Sequence, residues 1–395
     1  MVARTLTLPA LAQPKPRALV AACTAHVVHD GYMDVVYVLL PLWQADFGLG
    51  YAALGLVRAI YPAAMAAAQV PIDCATARFG PRASLVGGTL IAAAGFALAG
   101  ISRGLALLCL ALVVAGLGSS TQHPRSSAII ADAYGSKSRA PLGVYNFAGD
   151  LGKSIFPALT SLLLIAVAWR TATFALAAIG AAAALALVAL VPERSAARSP
   201  KAASPRSVEA EGRGFAILFV IGALDTATRM GFLLFLPFVL VERHASEALV
   251  GTGLTLVFAG GAFGKFVCGW IGERAGLVAT VVVTESLTAL MILAVPMLPL
   301  SGLLALLPVL GVALNGTSSV LYGTVPDVAK GDVGRAFAIF YTGVIGAAAA
   351  APILFGGLAD LTGQHIALVA TTAAALATIP LVLALPRISR AGRAG

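Results

Sequence analysis

Long apolar runs follow one another along almost the whole chain, separated by short polar breaks. A helix crossing a bilayer needs about 20 mainly apolar residues. Runs of that length fall at roughly 18–42, 52–75, 83–101, 104–132, 140–166, 170–191, 214–240, 248–271, 277–298, 302–325, 335–358 and 365–386. None shows the polar–apolar alternation over about ten residues that a membrane β-barrel requires. One break is longer than the rest: "VPERSAARSPKAASPRSVEAEGRG" at 191–214 is rich in Pro, Ser and charge, which marks a linker. The pattern predicts an all-α membrane protein with twelve transmembrane helices in two pseudo-symmetric six-helix bundles. The expected divisions are a bundle at 1–193, a cytoplasmic linker at 194–213 and a second bundle at 214–395.

The halves resemble each other at an offset of 196 residues. Leu40-Pro41 falls on Leu236-Pro237, Gly55 on Gly251, Arg78 and Gly80 on Arg274 and Gly276, Arg139-Ala140 on Arg335-Ala336, and Tyr145 on Tyr341. Arg, Gly and Pro recurring at loop positions without a gap point to a duplication, and repeats of this kind are common in transporters. Two loops, "GWIGERAG" (269–276) and "GGLADLTG" (356–363), share the pattern G-x-x-x-[DE]-x-x-G. Its glycines permit close helix approach, and its acid can face the positive end of a neighbouring helix. The first-half loop "DCATARFGPR" (73–82) keeps Arg78, Gly80 and Arg82 but has Ala77 at the acidic place, leaving Asp73 one turn earlier as the substitute. Asp73, Arg78, Gly80, Gly269, Glu273, Arg274, Gly276 and Asp360 are the expected gating-loop residues.

Composition agrees with the pattern. Of 395 residues, 59% are hydrophobic and 11% charged, against about 25% charged in soluble domains. The net charge of +9 could suggest nucleic acid, but its distribution gives topology instead. Of the Lys and Arg residues, 18 lie in breaks on one side, 3 on the other (Arg103, Arg170, Arg243) and 5 within spans. The positive-inside rule then places both termini in the cytoplasm. No cleavable signal peptide is expected, because residues 1–16 carry Pro9, Pro14 and Pro16 and no separate apolar core. Cys23, Cys74, Cys109 and Cys268 have neither metal-ligand nor redox spacing, and neither a cofactor nor a resident metal is expected.

Ionisable groups at membrane depth cost about 3 kcal/mol or more on insertion scales and so mark pathways. A 100° step puts His26, His29, Asp30, Met33 and Tyr37 within one arc of the first span, with Asp34 at its edge. Asn146, Gly149, Asp150, Lys153 and Pro157 share a stripe on the fifth. Gln122 and His123 share a face of the fourth, followed by Pro124 and by Arg125, whose direction depends on how the proline disturbs the helix. In the second half Asp30 becomes Thr226, His123 becomes Ser319, Asp150 becomes Gly346 and Lys153 becomes Ala349. Asp225 and Arg229, four apart, can form a structural pair or contact substrate, and Lys265 and Asn315 complete that half's set.

The stretches "HVVHD" (26–30), "LLPLWQADFGLGYAALGLV" (39–57), "GLGSSTQHPRSSA" (116–128) and "YNFAGDLGKSIFPAL" (145–159) resemble the fosmidomycin-resistance branch of the major facilitator superfamily. The likeness covers most of the first half and is superfamily-level in the second, where the two G-x-x-x-[DE]-x-x-G loops match the family's signature. It implies a twelve-helix secondary transporter of the bacterial inner membrane, with drug efflux driven by proton antiport. The branch's first-helix H-x-x-x-D falls on His26 and Asp30, and its His-Pro pair on His123-Pro124. Two departures stand out: Arg125 replaces the branch's glutamate, and Asp150 with Lys153 follows Gly149 where the branch has Gly-Gly-Asn. The later Gly-Pro pair is reduced to Phe156-Pro157.

The expected function is therefore proton-coupled transport, by alternating access, of a small organic anion, zwitterion or drug-like molecule. Burial and the neighbouring histidines pull the Asp30 carboxyl in opposite senses, so Asp30, His26 and His29 are the proton-coupling set. The substrate set is Tyr37, Gln122, His123, Arg125, Asn146, Asp150, Lys153, Asp225, Arg229, Lys265 and Asn315, and its cations favour an anionic group. The expected partners are small-molecule substrate, protons and the lipid bilayer, not nucleic acid, and a monomer suffices. One alternative uses the i, i+3, i+4 spacing of His26, His29 and Asp30 to carry a divalent metal or a metal–chelator complex. A remote alternative is an intramembrane hydrolase built on Ser119, Ser120, His123 and Asp30. A receptor or scaffold role gives no reason for buried titratable stripes.

Overall fold

The computed structural model describes residues 14–191, 212–329 and 333–385, and every regular element among them is helical. In chain order the helices are α1 (Pro14–Phe47), α2 (Tyr51–Thr76), α3 (Gly80–Gly100), α4 (Leu105–Ser119), α5 (Gln122–Tyr134), α6 (Arg139–Ala166) and α7 (Trp169–Leu190). After the gap come α8 (Arg213–Glu242), α9 (Glu247–Ala294), α10 (Leu300–Val328), α11 (Val333–Thr362) and α12 (Gln364–Leu383). Ten stretches of described residues are long and apolar enough to cross a membrane. One of them, Glu247–Met297, runs to 51 residues and holds both the eighth and ninth predicted spans. The 34-residue α1, which carries the first predicted span, lies outside those ten. The expected linker at 194–213 falls almost wholly outside the described residues.

Local sequence explains where the rods break. Pro124 has no amide hydrogen, so it cannot donate to the Ser120 carbonyl one turn back, and the fourth span divides there into α4 and α5. The break inside α9 is at Gly276, with φ +82° and ψ +171°. Gly80, its partner 196 residues earlier, takes φ +78° just after α2. This left-handed region is open to glycine at little cost, so the repeat seen in the sequence is also a repeat of backbone geometry.

The chain forms two compact units, one from residues 1–39 and 60–202, the other from 40–59 and 203–395. Segment 40–59, the end of α1 and start of α2, thus groups with the second unit. In the first unit Ala18, Ala21, Ala25, Leu85, Ile129, Leu187 and Val191 form a buried cluster of mostly small side chains. Small residues bring the rods close: a Cβ on Gly95 would lie 2.7 Å from the Ala115 Cβ. The second unit packs larger side chains, Phe215, Leu218, Ile221, Val281, Leu321, Val325 and Phe340. Val70, Leu185, Leu290 and Leu354 face outward, whereas Asp30, Asp150, Asp225 and Glu285 are buried. Apolar outside and ionisable inside is the arrangement expected in lipid.

Candidate functional site

Asp30 of α1 is the centre of the first unit's buried polar set. His26, one turn earlier, brings Nε2 to 3.2 Å from Asp30 Oδ2. Lys153 of α6 brings Nζ to 3.3 Å from the same oxygen and 3.6 Å from Asp150 Oδ1. His123 of α5 brings Nε2 to 4.0 Å from Asp30 Oδ1. Stacking fixes the rings: His26 lies on Tyr145 with centroids 4.1 Å apart and meets His123 edge-on at 5.1 Å. The Tyr145 hydroxyl accepts from Gln122 Nε2 at 2.9 Å and lies 3.2 Å from His123 Nδ1.

Hydrogen bonding assigns a proton here. His26 Nδ1 lies 2.7 Å from the Tyr145 carbonyl oxygen; a carbonyl only accepts, so Nδ1 carries hydrogen. His26 Nε2 then faces a carboxylate oxygen, and two bare lone pairs at 3.2 Å would repel. A proton lies between them, either on imidazolium or on the acid.

Glycine makes this contact possible. A Cβ on Gly149 of α6 would sit 2.5 Å from His26 Nε2 and 2.7 Å from Asp30 Oδ2. A Cβ on Gly152 would run into the Val27 backbone. The α6 backbone therefore lies directly on the polar face of α1, which is how Lys153 reaches Asp30.

His29 joins a different chain. Thr89 Oγ1 donates to the Leu85 carbonyl at 2.8 Å, which leaves it to accept from His29 Nε2 at 3.1 Å. The other ring nitrogen, Nδ1, lies 2.7 Å from Ser119 Oγ, which also bonds Tyr61. A neutral imidazole satisfies every partner. The spacing of His26, His29 and Asp30 suggested a metal set, but the ligand atoms that converge, all within 4.8 Å, belong to His26, Asp30 and His123. Of the two serines in the hydrolase alternative, Ser119 meets His29 and Tyr61, and Ser120 Oγ donates to the Leu117 carbonyl at 2.7 Å.

Comparison with known proteins now decides the family. The sequence model of the Major Facilitator Superfamily matches residues 22–217 and again 218–394. The chain belongs to the major facilitator superfamily. The two matched stretches correspond to the two halves of the repeat. The fosmidomycin resistance protein of Escherichia coli (strain K12) is 24% identical over 167 residues, 38% of this chain and 41% of that protein. The "Probable L-galactonate transporter" of the same organism is 24% identical over 128 residues, 32% of this chain and 28% of that protein. The chain thus matches well under half the length of either relative. A solved bacterial homolog of the human lysosomal transporter Spinster, inward-facing and occupied, superposes with a TM-score of 0.78 at 16% identity, covering 97% of this chain and 99% of that one. Superfamily and fold are those of transporters, not enzymes.

Of the superfamily's loop signatures, one acid does what the pattern suggested. Asp360, at the end of α11, accepts from the backbone amides of Tyr51 at 2.6 Å and Ala52 at 2.9 Å, the first two residues of α2. Both contacts lie within the second unit. Glu273 is exposed, Arg274 stacks 3.9 Å over Trp270, and Arg78 lies 4.7 Å over Phe79. Gly269 is half-buried near Ser319. Asp73 pairs instead with Arg125, whose Nε lies 2.8 Å from Asp73 Oδ1 and whose Nη2 donates to the Asp73 carbonyl at 2.6 Å. Arg125 therefore spends its charge on the end of α2 and does not join His123.

The other expected substrate residues divide. Tyr37 is buried in α1, Asn146 is exposed on α6, and Lys265 is half-buried on α9. Asn315 donates to the Gly311 carbonyl at 3.3 Å and packs on Gly261. Arg229 Nη2 lies 3.4 Å from Thr226 Oγ1 on its own helix. Glu285 was missed. It is 2% exposed and neighbours Asp225, which is equally buried. The signal was present as a lone acid in the otherwise apolar "TVVVTESLTALMILA" at 280–294.

Proposed function

We propose that this superfamily member is a proton-coupled secondary transporter that exports a small organic anion, zwitterion or drug-like molecule across the bacterial inner membrane by alternating access. The observation that carries the reading is Asp30, a buried acid in a membrane span with His26 at 3.2 Å, Lys153 at 3.3 Å and His123 at 4.0 Å. An acid in that company can release its proton while the neighbouring cations stabilise the carboxylate, and can take it back when they move. His123 and Lys153 are the accessible members, 37% and 26% exposed, so a cargo anion that engages Lys153 competes with Asp30 for the same ammonium. Competition of this kind links cargo binding to protonation through differential affinity, which is all that coupling requires. The galactonate in one relative's name is an organic anion and the other relative's name concerns an antibiotic. An organic anion suits a site that presents Lys153 and His123.

The test is flux in proteoliposomes with an imposed pH gradient. The wild-type protein is expected to concentrate cargo against its gradient, and Asp30→Asn to lose that while still exchanging labelled cargo at equilibrium. Concentration by Asp30→Asn equal to wild type removes Asp30 from the coupling step. A second reading has one specific observation in its favour, the convergence of His26, Asp30 and His123 within 4.8 Å. In it the cargo is a divalent metal or its chelate. Titration calorimetry with Zn²⁺, Mn²⁺, Fe²⁺ and Co²⁺ decides it, since absence of heat with all four ions eliminates the reading.

A further inference from the structure

The repeat allows each buried polar contact in one half to be compared with its partner in the other. His29 and Asp225 stand 196 residues apart, as do Thr89 and Glu285. In the first half His29 hydrogen-bonds Thr89. In the second, Asp225 and Glu285 stand at those same two positions as buried neighbours, each 2% exposed. A further pair of positions at the same offset meets at the same crossing. Thr121 sits on Gly88, whose missing side chain leaves it room, and Thr317 Oγ1 donates to Thr284 Oγ1 at 2.8 Å. The duplicated scaffold thus brings these four positions together twice, and the acid–acid contact is a property of the fold rather than of one rotamer.

The two contacts differ in what they demand. Imidazole and hydroxyl satisfy each other while neutral. Two carboxylates, which only accept, cannot hydrogen-bond unless one of them carries hydrogen. Asp225 and Glu285 are each 2% exposed, so water cannot separate their charges. Facing the pair are Arg229, one turn along α8, and the Thr317 hydroxyl from α10. One guanidinium balances one carboxylate; the second carboxyl stays neutral only if protonated.

We infer that Asp225 and Glu285 hold one exchangeable proton between them and form a second proton site, in the half of the protein that lacks a counterpart of Asp30. The site consists of a carboxylate beside Arg229 and a carboxylic acid that donates to it. Its proton is held by geometry whatever the protein transports; its part in coupling rests on the proposed function.

Infrared difference spectroscopy of the full chain in lipid nanodiscs, with H/D exchange, reads the proton directly. The Asp30→Asn protein is expected to show the carbonyl stretch of a protonated carboxylic acid at neutral pH, with a deuterium shift. Adding Glu285→Gln is expected to abolish the band, and adding Asp225→Asn to do the same, so either variant serves if the other fails to fold. Superimposable spectra for Asp30→Asn with and without the second change overturn the site. In proteoliposomes, Glu285→Gln is expected to lower the number of protons moved per cargo. An unchanged proton count overturns the coupling role alone. Cargo flux indifferent to pH in the wild type overturns the proposed function, while the band still stands for the site.

Discussion

The Asp30 cluster and the Asp225 cluster contain the same inventory, two carboxyls and one permanent cation, but at different places in the duplicated fold: the counterpart of Asp30 is Thr226, and that of Asp225 is His29. They part company in what surrounds them. Around Asp30 the neighbours are nitrogen bases, and His123 and Lys153 keep 37% and 26% of their side chains exposed. Around Asp225 the neighbour is a second acid, with 2% exposure for each. Charge count alone would make the two equivalent. The difference teaches that a buried acid's role is set by its hydrogen-bond partners and by access. Under the proposed function, nitrogen partners with an open edge make a site that cargo can disturb, whereas a sealed acid pair makes one that responds when helices shift.

That contrast can be broken most forcefully at Lys153. Lys153→Met leaves Asp30 and Asp150 without their cation and should cost about 3 kcal/mol or more, since removing one partner of a buried pair strands the other. Thermal unfolding in detergent measures it, and adding Asp150→Asn should recover much of the loss. If Lys153→Met unfolds like wild type, the first cluster does not depend on its cation.

Close approach supplies the next largest effect. Gly149→Ala places a methyl against His26 and Asp30 and should cost about 1–3 kcal/mol by overpacking. Gly346→Ala, on the second-half helix where a Cβ meets nothing within 4 Å, should stay within about 0.5 kcal/mol of wild type. Equal unfolding midpoints for the two would remove the steric account of the Asp30 site.

Exchanging the contacts sharpens the comparison further. Asp225→His with Glu285→Thr transplants the neutral first-half pair into the second half. Because one hydrogen bond replaces another, stability should move by about 1 kcal/mol or less, while the protonated-acid band disappears. A large loss of stability would mean the two crossings are not interchangeable. The smallest effect belongs to Asp360, whose charge caps α2: Asp360→Asn should cost about 0.3–1 kcal/mol, reduced by added salt. A salt-independent loss would point to packing rather than to the helix dipole.

Much of this architecture was legible in the residues. Apolar length and repeated Gly, Pro and Arg are properties of short windows, so the apolar runs and the repeat could be read without coordinates, whereas the positive φ at Gly80 and Gly276 came from the structure. The first-span stripe was legible too, because a helix has a fixed angular step: His26 and Asp30 do share a face and do meet. Pairing between helices was not legible. The stripe placed His29 with Asp30, yet His29 bonds Thr89 and Ser119, 60 and 90 positions away. Arg125 looked like a cavity cation until its partner proved to be Asp73, 52 positions back. Glu285 attracted no notice on its own, since its meaning lies in Asp225.

Hydrophobic length and helical periodicity therefore gave, by sequence alone, the helical membrane-protein class and the faces that carry polar groups. The tertiary structure alone decided which polar group meets which. Burial obliges each such group to find a partner, but the choice depends on where the rods cross and how closely glycines at positions such as 149 let them approach.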